Sequence, residues 1–170
     1  NTSYFNECLS ELAAGGVLNI GIGDWRFQDP LTVSTRGILI RGEGSVSDSS
    51  TATGATKLIG DHLEGAVLKI TQDDCSVESL LIGASAARKA GSRATGYVHN
   101  AGLWVEGPDV SGGTGTVQRL TVRDVVSIDQ PGIAFLQVGE SASAYYERAR
   151  ANYCGGHGFV FDNGVLTNRT

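Results

Sequence analysis

The sequence predicts an all-β solenoid, a right-handed parallel β-helix closed at its start by a short N-terminal capping α-helix. Three observations carry this reading. Short apolar segments follow one another from residue 17 onward, separated by Gly, Asp or Ser clusters. A spaced apolar pattern recurs three times, each time with the same kind of companion segment. One amphipathic stretch precedes them all.

That stretch, residues 3–14, is the expected helix. Ser3 is placed to act as its N-cap, and Phe5, Cys8, Leu9 and Leu12 share a face. Gly15 and Gly16 end it. Such a helix covers the open end of a solenoid core and blocks pairing by the first coil.

Residues 17–170 then read as coils of one domain. Early strand candidates lie at 17–22, 25–27, 31–33, 38–40, 57–59 and 67–70. Later, apolar–x–x–apolar–x–apolar appears as Val77, Leu80, Ile82, then Val117, Leu120, Val122, then Tyr146, Ala149, Ala151. Each copy leads to a Gly and an apolar run: Gly102-Leu103-Trp104-Val105, Gly132-Ile133-Ala134-Phe135 and Gly158-Phe159-Val160-Phe161. Residues 141–151 have helical propensity, which the repeat overrides. Parallel rungs superpose. The register therefore predicts inner stacks of Leu80, Leu120 and Ala149, of Ile82, Val122 and Ala151, and of Val105, Phe135 and Phe161. Outer ladders follow at Leu81, Thr121 and Arg150, and at Gly83, Arg123 and Asn152. Loops are expected at 45–56, 84–101 and 106–116.

Composition sets the function classes. Hydrophobic residues at 41% and charged residues at 18% exclude a disordered chain. A formal net charge of −5 excludes a general nucleic-acid binder, so no nucleic-acid partner is expected. No run of 18 apolar residues is present, so no membrane insertion is expected. Met is absent, and residues 166–170 read as an unfinished turn, so the chain reads as an excerpt of a longer β-helix. Cys8, Cys75 and Cys154 have no metal-ligand spacing and read as small buried hydrophobes.

The opening resembles the pectate-lyase-like superfamily of right-handed parallel β-helix proteins, closest to phage tailspike and polysaccharide depolymerase proteins. The resemblance is carried by the short helix, Ala14-Gly15-Gly16-Val17-Leu18-Asn19-Ile20, Gly23-Asp24-Trp25-Arg26-Phe27, Ile38-Leu39-Ile40-Arg41-Gly42-Glu43-Gly44 and Thr56-Lys57-Leu58-Ile59. Asn152-Tyr153-Cys154-Gly155-Gly156-His157-Gly158-Phe159 resembles a later coil of that family. Gly23-Asp24-Trp25 stands where the family has a Pro-containing turn. The resemblance implies an elongated homotrimer on a virion tail or in the extracellular space, which binds or cleaves a polysaccharide along one face. It carries no catalytic residue onto this chain.

The residues themselves offer candidates. Paired carboxylates can act as acid and base across a sugar bond. The candidates are Glu106, Asp109, Asp124, Asp129 and Asp162, with Asp124 and Asp129 preferred because they flank one turn beside the stacked strands. Glu106 and Asp162 fall on one corner, two coils apart. The alternative for each is a turn-forming Asp or Glu. Repeat symmetry sets Asp124 beside Tyr153, where no second acid stands. Arg123 and Arg150, with Arg119 and Arg148, form a basic patch suited to an anionic sugar, or pair with Glu147 and Asp124. Trp104 points outward and can stack on a sugar, or be covered by loops or by a partner subunit. His157 is either a general base or a turn residue. Asp73 and Asp74 offer Ca²⁺ two carboxylates, which falls short of a full ligand set, so no cofactor is expected. Gly112-Gly113-Thr114-Gly115 lacks the Lys and helix of a phosphate loop.

The expected function is a tailspike-like depolymerase, hydrolase or lyase, with Asp124 and Asp129 catalytic and Arg123, Arg150, Trp104, Glu106 and His157 binding substrate. A non-catalytic trimeric fibre or adhesin module is the alternative from a different class. A secreted plant-wall or alginate-type enzyme is a third.

Overall fold

The computed structural model describes residues 2–44, 46, 53–95, 100–110, 113–115, 117–139 and 144–162, with the backbone alone at 92–95, 108–110, 113, 114 and 162. Most of the expected loop at 45–56, Gly112 and the tail from residue 163 lie outside them.

Helix α1 spans Thr2–Glu11. The strands then fall into five passes. The first holds β1 (Val17–Ile20), β2 (Gly23–Phe27) and β3 (Leu31–Val33). The second holds β4 (Leu39–Gly42), β5 (Thr56–Gly60) and β6 (Gly65–Ile70). The third holds β7 (Ser76–Ala84), helix α2 (Ala86–Thr95), β8 (Asn100–Val110) and β9 (Gly113–Gly115). The fourth holds β10 (Thr121–Ile128) and β11 (Ile133–Val138). The fifth holds β12 (Tyr145–Glu147), β13 (Arg150–Asn152) and β14 (Phe159–Asp162).

The chain is mostly β, in two parallel sheets. One runs β1-β4-β7-β10-β12, widened by β2 on β5, β5 on β7 and β13 on β10. The other runs β3-β6-β8-β11-β14. Each pass visits the first sheet and then the second. Among the named strands the antiparallel pair is β8 with β9, a hairpin over part of the expected 106–116 loop. Strand pairing at β12 and β13 agrees with overriding the helical propensity of residues 141–151.

Like residues stack because parallel rungs superpose. One inner column is Leu18, Ile40, Val77, Val122, Tyr146. A second is Leu31, Leu68, Leu103, Phe135, Phe159. A third is Trp25, Leu58, Ile82, Ser127, Ala151. Most of their middle members are almost fully buried, each worth about 1.5–3 kcal/mol. The edges of this core belong to α1 at the start and to Phe159 and Phe161, which remain exposed, at the end.

The expected stacks need correcting by a register shift. The first and third repeats do match, since Leu81 and Arg150 flank one position, as do Ile82 and Ala151. The middle repeat slips by five residues. Val126 stands where Thr121 was expected, Ser127 where Val122 was, and Ile128 where Arg123 was. Phe135 stacks on Leu103 and Phe159, while Val105 and Phe161 flank Gln137. The cause is a small polar residue. Ser127 holds an inward, fully buried position, which hides the true repeat behind its off-register copy at Val117 and Leu120.

The corners are built from left-handed residues. Among the described residues, seven non-Gly residues have positive φ, including Asp74, Arg119, Asp124, Asp129, Arg148 and Tyr153. Gly37 precedes Asp74 in its column, at φ 76°, and a Cβ there would come within 3.0 Å of the Gly15 nitrogen. Only glycine avoids that approach.

Helix α1 differs from the expected 3–14 span by ending early. Ser3 lies inside the helix, not at its N-cap. Instead, the Thr2 hydroxyl accepts a hydrogen bond from Gln28 N at 2.9 Å. Asn6 donates to the Pro30 carbonyl at 3.1 Å and accepts from Thr32 N at 3.0 Å. Its amide thus occupies the free edge of β3 as a strand would, which blocks pairing there. Phe5 seals the end with edge-on contacts to Trp25 and Phe27.

The expected loop at 84–101 contains α2. Ser85 caps it, its hydroxyl accepting from Arg88 N at 3.2 Å. Arg88 itself is fully buried and donates to the carbonyls of His62, at 2.7 Å, and Gly65, at 2.6 Å. That anchor holds α2 against the flank of the stack.

Candidate functional site

The preferred carboxylates are not brought together. Asp124 forms the corner between Arg123 and Val125, and the Arg148 guanidinium binds it from the next pass. This pairing holds the Asp124 carboxyl below the usual carboxylate range. Asp129 stands five residues on, at the far end of β10, and pairs with Lys89 at 3.2 Å. Extended chain covers roughly 16 Å in five residues, more than the 5–9.5 Å that carboxylate pairs use on glycosides.

The arginines form a ladder, not an open basic patch. Asn19, Arg41, Glu78, Arg123 and Glu147 superpose on the outer face. Arg41 meets Glu78 at 3.0 Å, and Arg123 meets Glu147 at 2.8 Å and Glu78 at 3.7 Å. Arg148 joins Glu147 to Asp124, and Arg119 binds Asp74, which also pairs with Arg36 at 2.6 Å. Arg150 lies one corner away, near the Val46 carbonyl at 3.5 Å. Asp74 is thus committed to two guanidinium groups, and its carboxyl sits far below the usual range because of them. Among the described residues no group of three or more His, Cys, Asp or Glu side chains is placed to hold a metal ion.

Trp104 and Glu106 do meet. Both lie on the outer face of β8, where the Lys69 ammonium bonds Glu106 at 2.9 Å and lies 5.1 Å from the Trp104 ring centroid. Glu106, Val138 and Asp162 share one column, so the expected two-coil relation of Glu106 and Asp162 holds in the register. His157 is exposed on the turn before β14, and its carbonyl accepts from Ala134 N.

The open concavity is elsewhere. A groove of about 630 Å³ runs between α2, through Lys89 and Ala90, and the corner built by Asp129, Gln130, Tyr153 and Gly155. The register explains this corner. Asp129 N bonds the Asn152 carbonyl, so the left-handed residues Asp129 and Tyr153 succeed each other from one pass to the next. Asp129, not Asp124, therefore stands beside Tyr153, the same five-residue correction. Left-handed geometry turns the Tyr153 side chain outward, where it is 82% exposed. Below, Cys154 is half-buried, and burial raises its thiol above the ordinary range, which keeps it protonated.

A second hollow of about 190 Å³ adjoins the first, sharing Lys89 and Asp129 with it. Its sides include Arg26, Lys57, Ile59, Gly83 and Ile128. The floor is apolar, since Leu81, Val126 and Ile128 form a buried outer cluster against Val46.

Of the groove's residues, sequence reasoning found Asp129 alone. Lys89 was hidden by reading 84–101 as a loop. Its signal was present in Ser85 followed by Ala86, Ala87, Arg88 and Lys89, an N-cap before good helix formers. Tyr153 stood in the quoted turn, but its outward direction follows from a positive φ that its residue type does not announce.

No helix among the described residues is long and apolar enough to cross a membrane. No family model matches the chain, and comparisons with curated proteins and with solved structures give no match either.

Proposed function

We propose that the chain is a run of right-handed parallel β-helix that binds a polysaccharide in the groove beside α2. The single observation supporting this is the groove's composition. A hollow of about 630 Å³ presents an exposed Tyr153 ring and the Asp129 and Lys89 charges over small residues. Aromatic faces take the C–H faces of sugars, while charged groups take their hydroxyls. The alternation of parallel sheets over five passes and the helix on the first edge support the β-helix reading. A homotrimer on a virion tail or another extracellular surface belongs to the same proposal and rests on the resemblance of the opening residues.

Cleavage is the second reading, favoured by the column shared by Glu106 and Asp162. Two rungs place their backbones about 10 Å apart, near the spacing used by inverting glycosidases. The groove itself favours binding, because Asp129 is the one carboxylate among the described residues lining it.

A panel of bacterial capsule, O-antigen and plant-wall polysaccharides tests both. Binding without new reducing ends or ultraviolet absorbance from unsaturated uronates supports the binding module. New reducing ends lost in Glu106→Gln and Asp162→Asn establish the depolymerase. Neither binding nor cleavage removes the glycan reading.

A further inference from the structure

The two hollows beside α2 follow a single column of the stack. Arg26, Ile59, Gly83, Ile128 and Asn152 superpose on five successive strands. Four steps of about 4.8 Å make a trough roughly 19 Å long, parallel to the stacking direction. That shape suits a linear polymer lying along the rungs better than a single sugar.

Its charges are balanced locally. Arg26 pairs with Asp61 at 3.4 Å, Lys57 with Asp24 at 3.0 Å and Lys89 with Asp129 at 3.2 Å. Among the described residues lining the two hollows, Arg26, Lys57 and Lys89 each have their own carboxylate, and the whole protein carries a net charge of −5. A polyanion would be repelled at long range and would have to displace a carboxylate at each contact. A sugar hydroxyl both donates and accepts, so it can bridge an ion pair without breaking it. Ile59 and Ile128, with the gap at Gly83, offer apolar floor to C–H faces. Arg123, one of the two expected anion ligands, is already held by Glu78 and Glu147.

We infer that the trough takes an uncharged, linear polysaccharide, with Tyr153 stacking at one end; this rests on the glycan-binding reading above. The test is isothermal titration of the intact chain, at low and high salt, with neutral glucans, mannans, galactans and xylans and with polygalacturonate, alginate and hyaluronate. Binding to a neutral polymer that salt leaves unchanged is the expected result. Preference for an acidic polymer that fades with salt overturns the inference and keeps the glycan reading. Binding to neither overturns both.

Two variants locate the site. Tyr153→Asn removes the ring while keeping a residue that tolerates left-handed backbone, and neutral binding should weaken about tenfold. Asp129→Asn leaves Lys89 without its carboxylate, and binding to acidic polymers should rise about tenfold. If neither variant moves either affinity, the trough is not the site.

Discussion

Arg148 grips Asp124 at two points, Nε to Oδ1 at 2.5 Å and Nη2 to Oδ2 at 2.8 Å. Both residues are left-handed corners, one pass apart. The contact explains why Asp124 is a poor general acid, since the guanidinium holds its carboxyl ionised below the usual range. Asp124→Asn should therefore leave glycan binding unchanged within about twofold, because Asp124 lies outside the trough. The lost pair is exposed and should cost less than about 1 kcal/mol in a thermal melt. A tenfold loss of binding or of cleavage would return Asp124 to the site.

Arg88→Met keeps most of the aliphatic stem and removes the donors to His62 and Gly65. These two part-buried carbonyls, and the buried Ala101 carbonyl at 3.4 Å, then lose a donor, which should cost about 2–4 kcal/mol. Burial lowers the Arg88 pKa to about 10, so the guanidinium stays charged at neutral pH and its donors are all present. Hydrogen exchange should accelerate across α2 while the middle of β10 stays protected. Equal acceleration in both elements would mean that Arg88 supports the whole stack and not this helix.

The fold was more legible than the site because inner columns need only apolar residues at regular spacing, and Val77, Leu80 and Ile82 advertise that directly. The register was harder. Buried Ser127 looks like a surface residue, and Val117 with Leu120 supplied a better-looking match one corner early. Candidate charges were misplaced for a related reason. Which carboxylate meets Tyr153 depends on the rung count, so a five-residue slip exchanges Asp124 for Asp129. The ladder of Arg41, Glu78, Arg123 and Glu147 is alternating in sign only once the strands are aligned, which no local pattern reveals.

His62 should make stability depend on pH. Its ring lies between the Ala66 carbonyl, 2.8 Å from Nε2, and the Phe27 carbonyl, 3.3 Å from Nδ1. Burial, and then the nearby Arg88 charge, lower its pKa, while both carbonyls and Asp29 oppose the shift. The folded state thus binds fewer protons here than the unfolded state. The stabilisation is complete above the unfolded value of about 6.5 and is lost as pH falls through the lower folded value. Urea midpoints measured from neutral to mildly acid pH should decline in the native chain and decline less in His62→Gln. Parallel slopes would assign the acid sensitivity to other groups.

Gly102 and Ser127 set the closest constraint on the core. A Cβ on Gly102 would fall 2.2 Å from Ser127 Oγ and 2.8 Å from the Ala134 carbonyl. Ser127 belongs to the first sheet and Gly102 to the second, so the small pair lets the two sheets approach at this level. Gly102→Ala should destabilise by about 1–3 kcal/mol through overpacking. Ser127→Ala removes one of the two clashes but leaves the backbone carbonyl in place. The double variant should therefore recover part of the loss, a coupling of about 0.5 kcal/mol or more. Urea midpoints with an unchanged slope would read it as a native-state effect. Strict additivity would show that Gly102 is constrained by the Ala134 backbone alone, and that Ser127 is small for another reason.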